Sequence, residues 1–149
     1  MANSQQIGKA GELLVQYRLL LRGIETAPMT TDSGVDLVAF SSQKQEAITI
    51  QIKTNLKPKP GGGKGKPALD WWIAEDTPAQ LIAVTDLSSE RIWLFRPSEI
   101  QELAQQHPKG RYHLCMTIDP TMRPNKQERL TFDYEFERYH LENRFHELF

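Results

Sequence analysis

The sequence has one cysteine, Cys115, and that scarcity removes two classes of explanation. A lone thiol excludes an intrachain disulfide and any cysteine-rich zinc site, and it agrees with a reducing compartment. A buried, inert thiol is the expected state. Long apolar runs are missing too: none approaches the roughly 20 residues that span a bilayer. The opening stretch MANSQQIGKAGE lacks the charged-then-apolar order of a signal peptide. We therefore expect a soluble, cytoplasmic protein with no membrane partner. Charge of one sign is also lacking, with 18 Lys+Arg against 19 Asp+Glu, so the molecule as a whole does not attract a polyanion. Any such binding must be local. His107, His113, His140 and His146 lack zinc-ligand spacing and read as surface residues. No internal repeat is present.

What is there fits one globular domain. A chain of 149 residues, 39% hydrophobic and 25% charged, can bury a substantial core. Charge is uneven along it. From Ala47 to Leu69 there is no acid, while Lys53, Lys57, Lys59, Lys64 and Lys66 stand in that stretch. The segment from Glu128 onward instead holds six acids against three arginines.

Ile7, Ala10, Leu14, Tyr17 and Leu21 recur at helical spacing after Ser4, a candidate N-cap, so the pattern predicts a helix over 4–22 ended by Gly23. Strands are predicted over 24–28, 35–40 and 48–54, the last two joined as an antiparallel hairpin. The run KPKPGGGKGKPA predicts a mobile basic loop over 56–68. DWWI, QLIAVTDL, RIWLF and RYHLCMTI read as further strands, with a helix opening at Pro97. Phe132, Phe136, Tyr139, Phe145 and Leu148 predict a terminal amphipathic helix over 132–148. Its apolar residues are compatible with docking on the domain or with a homodimer interface. The element order gives an α/β (α+β) class with a central mixed β-sheet flanked by helices.

The third strand, ITIQIKTN, raises a chemical question. Alternation places Thr49, Gln51 and Lys53 on one face and Ile48, Ile50 and Ile52 on the other. A buried amide or ammonium without partners costs several kcal/mol in order of magnitude, so this polar face needs a partner, solvent or a site. Asp36, on the neighbouring strand, is the candidate partner. Carboxylate, amide oxygen and ammonium together are the groups that a hard divalent cation and a phosphate ester require. Each also has an ordinary reading: a lysine stem packed on the sheet, a turn aspartate, a solvated Glu12.

Gly11-Glu12 on the first helix, Gly34-Val-Asp36 opening the second strand and Gln51-Ile-Lys53 in the third resemble the PD-(D/E)XK nuclease superfamily in a Gln-x-Lys variant. The likeness is to its Holliday junction resolvase-like and restriction endonuclease-like branch, and it covers about the first 55 residues. The resemblance implies a restriction-endonuclease-like core and an endodeoxyribonuclease using Mg²⁺, with Mn²⁺ able to substitute, on duplex or branched DNA. It implies Asp36 as principal metal ligand, Gln51 and the Ile52 carbonyl as further ligands, Lys53 as catalytic lysine and Glu12 reaching the site from the helix. Glutamine at position 51 departs from the usual acid and removes one negative charge from the cation's surroundings. The alternative is an inactive nuclease-fold module that binds DNA or a protein partner. Lys57, Lys59, Lys64 and Lys66 would then clamp the DNA backbone, with affinity falling steeply in salt.

Two local features sharpen the expectations. GGGKGK looks like a phosphate loop, but Pro60 and Pro67 occupy positions that such a loop needs for Gly and Ser/Thr, so no nucleotide cofactor is expected. A symmetric turn about Lys44 would pair Asp36 with Ile52 and send the acid to the wrong face. A one-residue asymmetry or bulge is therefore predicted.

Overall fold

The computed structural model describes residues 1–61, 65–119 and 129–149. Helix α1 spans Ser4–Leu20 and is capped one residue earlier than expected: Asn3 is its cap, with Gln6 N–H donating to Asn3 Oδ1 and Asn3 N–H to Gln6 Oε1, both at 2.9 Å. Beyond it Gly23, at φ +80°, turns the chain so that Ile24 N–H returns to the Leu19 carbonyl at 3.0 Å.

The buried face of α1 differs from the predicted stripe. Gly11, Val15 and Leu19 face the core, whereas Tyr17 and Leu21 are 57% and 64% exposed. Hydropathy patterning gives no weight to a glycine, so the face that it heads was overlooked. Gly11 nevertheless lets α1 approach the sheet closely.

Strands β1 (Glu25–Pro28), β2 (Leu37–Ser41), β3 (Glu46–Asn55), β6 (Leu81–Asp86) and β7 (Arg91–Phe95) form one sheet, ordered β1-β2-β3-β6-β7. Only β3 and β6 run parallel. A second sheet holds β4 (Lys59–Pro60), β5 (Pro67–Ala74) and β8 (Arg111–Thr117) in the order β4-β5-β8. The larger sheet is buried on both faces at β6 and β7, whereas β1 and one face of β2 are exposed. Leu37, Ile50, Ile52 and Ala83 pack against Val15 and Leu19 of α1, together with Leu141. On the opposite face, Ile82, Val84, Trp93 and Phe95 pack against Leu69, Trp71 and Ile73 of the second sheet. The class is mixed α/β, a five-stranded mixed sheet flanked by helices, and α2 (Pro97–Leu103) follows β7.

Two expected elements are corrected. The basic stretch 56–68 does not form an unstructured loop throughout: Lys59 pairs with Ala68 and Pro60 with Pro67 across an antiparallel ladder. Proline is tolerated there because β4 is an edge strand whose outer groups need no partner. The terminal helix is broken. A 3₁₀ segment, Asp133–Tyr139, ends at His140, whose ψ of 140° is extended, and α3 then spans Leu141–Leu148. Tyr139, Leu141, Leu148 and Phe149 are all buried against this chain, so the surface expected for a homodimer is already covered.

Arg144 fastens α3. It is 2% exposed, donates to Glu99 Oε1 and Glu147 Oε1 at 2.7 Å each, and donates to the Leu94 carbonyl at 2.9 Å. Arg144→Ala would deprive Glu99 of its ion-pair partner and leave a cavity, so it is expected to cost about 3 kcal/mol, read as a lower urea midpoint with unchanged slope. Among the described residues no helix is long and apolar enough to cross a membrane.

Candidate active site

The register of the β2–β3 hairpin decides the site. Leu37 faces Ile50 and Ser41 faces Glu46, one residue away from the symmetric arrangement. Continued outward, that register sets Asp36 beside Gln51 instead of Ile52. The ladder is also irregular at its end: Asp36 N–H donates at 2.9 Å to the carbonyl of Ile50, the residue that already faces Leu37. Two residues thus converge on one, as in a bulge.

From there the incoming chain leaves the sheet. Gly34 has φ +85°, and a Cβ on it would stand 2.9 Å from Pro78 Cδ, so both backbone and packing require glycine. This is the physical content of Gly34-Val-Asp36: the glycine turns the chain so that the aspartate arrives at an edge of β3 that β2 does not cover.

Asp36 then takes the place of a strand partner. Its Oδ2 accepts from Ile52 N–H at 2.6 Å. The odd-numbered carbonyls of β3 point toward β6 and its flanks, Thr49 accepting from Gln80 N–H at 3.1 Å and Asn55 from Leu87 N–H at 2.9 Å. Backbone groups alternate along a strand, so the Ile52 carbonyl faces the open edge beside its own N–H.

A cleft of about 680 Å³ lies over this edge, and Glu12, Asp36, Gln51, Ile52 and Lys53 all line it. Lys53 is half-buried, and its ammonium makes no hydrogen bond or ion pair with any described residue. Gln51 is 8% exposed, and its Oε1 accepts from the Thr77 hydroxyl at 3.0 Å. Ala79 N–H in turn donates to that hydroxyl oxygen at 3.3 Å. One lone pair of the Gln51 amide oxygen is therefore committed within the protein. Glu12 stands on the α1 wall, paired with Lys9 at 3.1 Å.

Three contributors were missed by sequence reasoning. Lys9 and Asp32 line the cleft, and Thr77 holds Gln51. Lys9 was readable from its i, i+3 spacing to Glu12. Asp32 lies in a turn-type stretch, TTDSG, and nothing local marks it or Thr77.

Among the described residues no group of three or more His, Cys, Asp or Glu is placed to hold a metal. The Asp36 carboxylate, the Ile52 carbonyl and the Gln51 amide are hard oxygens, with no soft ligand among them. Such a set suits Mg²⁺, which keeps several waters and takes one or two carboxylates from the protein.

Elsewhere several reactive side chains are engaged or buried. Burial, then Asp70, pushes the Cys115 thiol up to about 11, so almost no thiolate exists at neutral pH. Its reaction with a disulfide reagent is expected to be slow at pH 7–8 and to accelerate only as pH approaches 11. A fast reaction at pH 7 would contradict this burial. His107 pairs with Glu75 at 2.6 Å and His113 with Asp70 at 2.8 Å. Of the four lysines expected to clamp a backbone, Lys57 and Lys59 are exposed, Lys66 pairs with Asp119 at 2.8 Å, and Lys64 lies outside the described residues.

No protein-family model and no curated protein matches the sequence. Among solved structures, the chain superimposes on that of a bacterial homing endonuclease, I-Ssp6803I, with a TM-score of 0.67 at 13% identity. The match covers 99% of this chain and 92% of that one. The two share a fold. The likeness extends far beyond the segment that carries the sequence motifs, through the second sheet to the terminal helix. At 13% identity it speaks for architecture alone.

Proposed function

We propose that this protein is a Mg²⁺-dependent DNA endonuclease with a PD-(D/E)XK-type site. The observation that carries this reading is the Asp36 carboxylate bound to Ile52 N–H at the open edge of β3, in the same cleft as an unpaired Lys53. The shared fold with a homing endonuclease supports it. Asp36 and the Ile52 carbonyl would hold the cation, with Gln51 contributing its remaining lone pair and Glu12 reaching in from α1. When bound, Mg²⁺ supplies charge neutralisation and a more acidic water. Lys53 donates hydrogen bonds to a non-bridging phosphate oxygen and stabilises the charge that develops there. The α1 wall positions the phosphate and restricts water, while the exposed Lys57 and Lys59 hold the DNA backbone.

The second reading is a nuclease-fold module without turnover. Gln51 favours it, because only Asp36 and Glu12 would offset the charge of the cation. Supercoiled plasmid in Mg²⁺ or Mn²⁺ separates the two: nicking by purified wild type supports the enzyme, and binding without nicking supports the module. Gln51→Glu adds the missing carboxylate and can still accept from Thr77. It is expected to lower the Mg²⁺ concentration for half-maximal nicking about tenfold, as a further full charge at contact distance implies. An unchanged metal requirement would remove Gln51 from the cation's surroundings.

A further inference from the structure

The second sheet has an outer face that the core does not use. Leu69, Trp71 and Ile73 of β5 point inward with Leu114 and Met116 of β8. The residues between them, Asp70, Trp72 and Ala74, stand outward opposite Cys115, His113 and Arg111. On this face Trp72 lies parallel to His113, with ring centroids 4.0 Å apart and 3° between planes, and the Arg111 guanidinium sits 4.6 Å from the Trp72 ring.

The stack fixes Arg111 without satisfying it. Arg111 is exposed, and its guanidinium hydrogen-bonds no described residue. A planar donor fork held over an aromatic ring has lost much of its rotamer freedom before any ligand arrives. His113 is already spent, bonded to Asp70 at 2.8 Å. The imidazole and the guanidinium already pack on the Trp72 ring, which leaves an extruded base less aromatic surface there. This argues against a single strand, which binds by stacking on free aromatic faces.

The same sheet is basic at its other edge and joined to the cleft. Lys57 and Lys59 are exposed on the chain that leaves β3, within a stretch that contains no acid. Asn55, two residues after Lys53, binds the Asp70 carbonyl through its Nδ2 at 2.7 Å, anchoring β5 beside the site.

We propose that the outer face of the β4-β5-β8 sheet lies in the major groove of duplex DNA. In that groove Arg111 reads guanine through O6 and N7, and Lys57 and Lys59 hold the flanking phosphates. The groove admits a β-ribbon, and the Arg–guanine pair is the commonest specific contact. The inference rests on the reading that this chain binds DNA, and it adds that the bound form is duplex and that its sequence is read by this sheet.

Selection of a randomised duplex library by wild type, Arg111→Ala and Arg111→Lys, with Ca²⁺ replacing Mg²⁺, tests it. Wild type should enrich a motif containing guanine. Arg111→Ala should lose that base alone, with affinity for the selected duplex falling on the order of tenfold to hundredfold. Arg111→Lys should keep the charge and still fail to restore the preference. Lys57→Ala with Lys59→Ala should weaken all duplexes alike and reduce the slope of log K against log salt by about 2. A wild type that selects no motif, or a motif unchanged in Arg111→Ala with melting temperatures equal, overturns the proposal. Plasmid nicking by the same proteins keeps the two ideas apart. Nicking at the wild-type rate with an unchanged motif sinks only the reading surface, whereas a motif lost in Arg111→Ala without nicking by any protein sinks only the cleavage.

Discussion

Lys53→Ala is expected to reduce Mg²⁺-dependent nicking of plasmid DNA by about 10²–10³-fold while leaving DNA affinity and thermal stability close to wild type. The size follows from what the ammonium does: it meets charge that grows on the phosphate in the transition state, so its loss falls on kcat. The structure gives the fold little stake in it. Its ammonium has no hydrogen-bond or ion-pair partner among the described residues, and Lys53 sits half-buried at the cleft rather than in the core. Removing it therefore strands no buried charge. Asp36→Ala should abolish nicking too, but with a loss of stability, because it leaves Ile52 N–H without its 2.6 Å acceptor. Nicking that persists at the wild-type rate in purified Lys53→Ala would mean that the activity belongs to a contaminant or to other residues.

The second large effect is expected far from any reacting group. A Cβ on Gly11 would stand 1.9 Å from Thr54 Oγ1 and 2.9 Å from both Thr54 Cβ and Cγ2. Rotating Thr54 about χ1 can bring its hydrogen to the closest position, but it leaves the Thr54 Cβ 2.9 Å away, which is still too near. Helix α1 must move outward. Overpacking of this kind costs about 1–3 kcal/mol, set against roughly 1 kcal/mol gained by replacing a helical glycine with alanine. Gly11→Ala should therefore be destabilised modestly and Gly11→Leu severely.

The functional loss should exceed the stability loss, because Glu12 and Lys9 ride on the same helix and line the cleft. Displacement of a positioning group by about 1 Å can cost about 10²-fold. Thr54→Ala, which removes the two branches, should restore most of both in the Gly11→Ala background. The result to look for is that coupling in a double-mutant cycle. Independent, additive effects of the two substitutions would show that α1 does not rest on Thr54.

Much of the fold was legible because it is written locally. The apolar alternation of β3, the β-branched runs of β6 and β7, and Gly23 and Gly34 at their turns identify elements whose periods of 2 and 3.6 survive in one dimension. Errors came where another part of the chain supplied the reason. The α1 stripe was misplaced because its closest approach is made by a glycine, and the C-terminal pattern concealed a break at His140. The basic stretch was taken as loop because only β5, beyond it, gives Lys59 and Pro60 a strand to pair with.

For the candidate site the division is the same. The sequence alone determined which residue types stand at which intervals: a glycine two before an aspartate, and a glutamine and a lysine on one side of a strand. Only the tertiary structure decided that they meet. A strand's side chains alternate at every step, so a one-residue change in hairpin register would have carried Asp36 away from Gln51 and Lys53. That register is set by packing of Leu37, Ala39 and Ile50 on one face of the sheet and by the turn at Gly34 against Pro78, distances that no local pattern encodes.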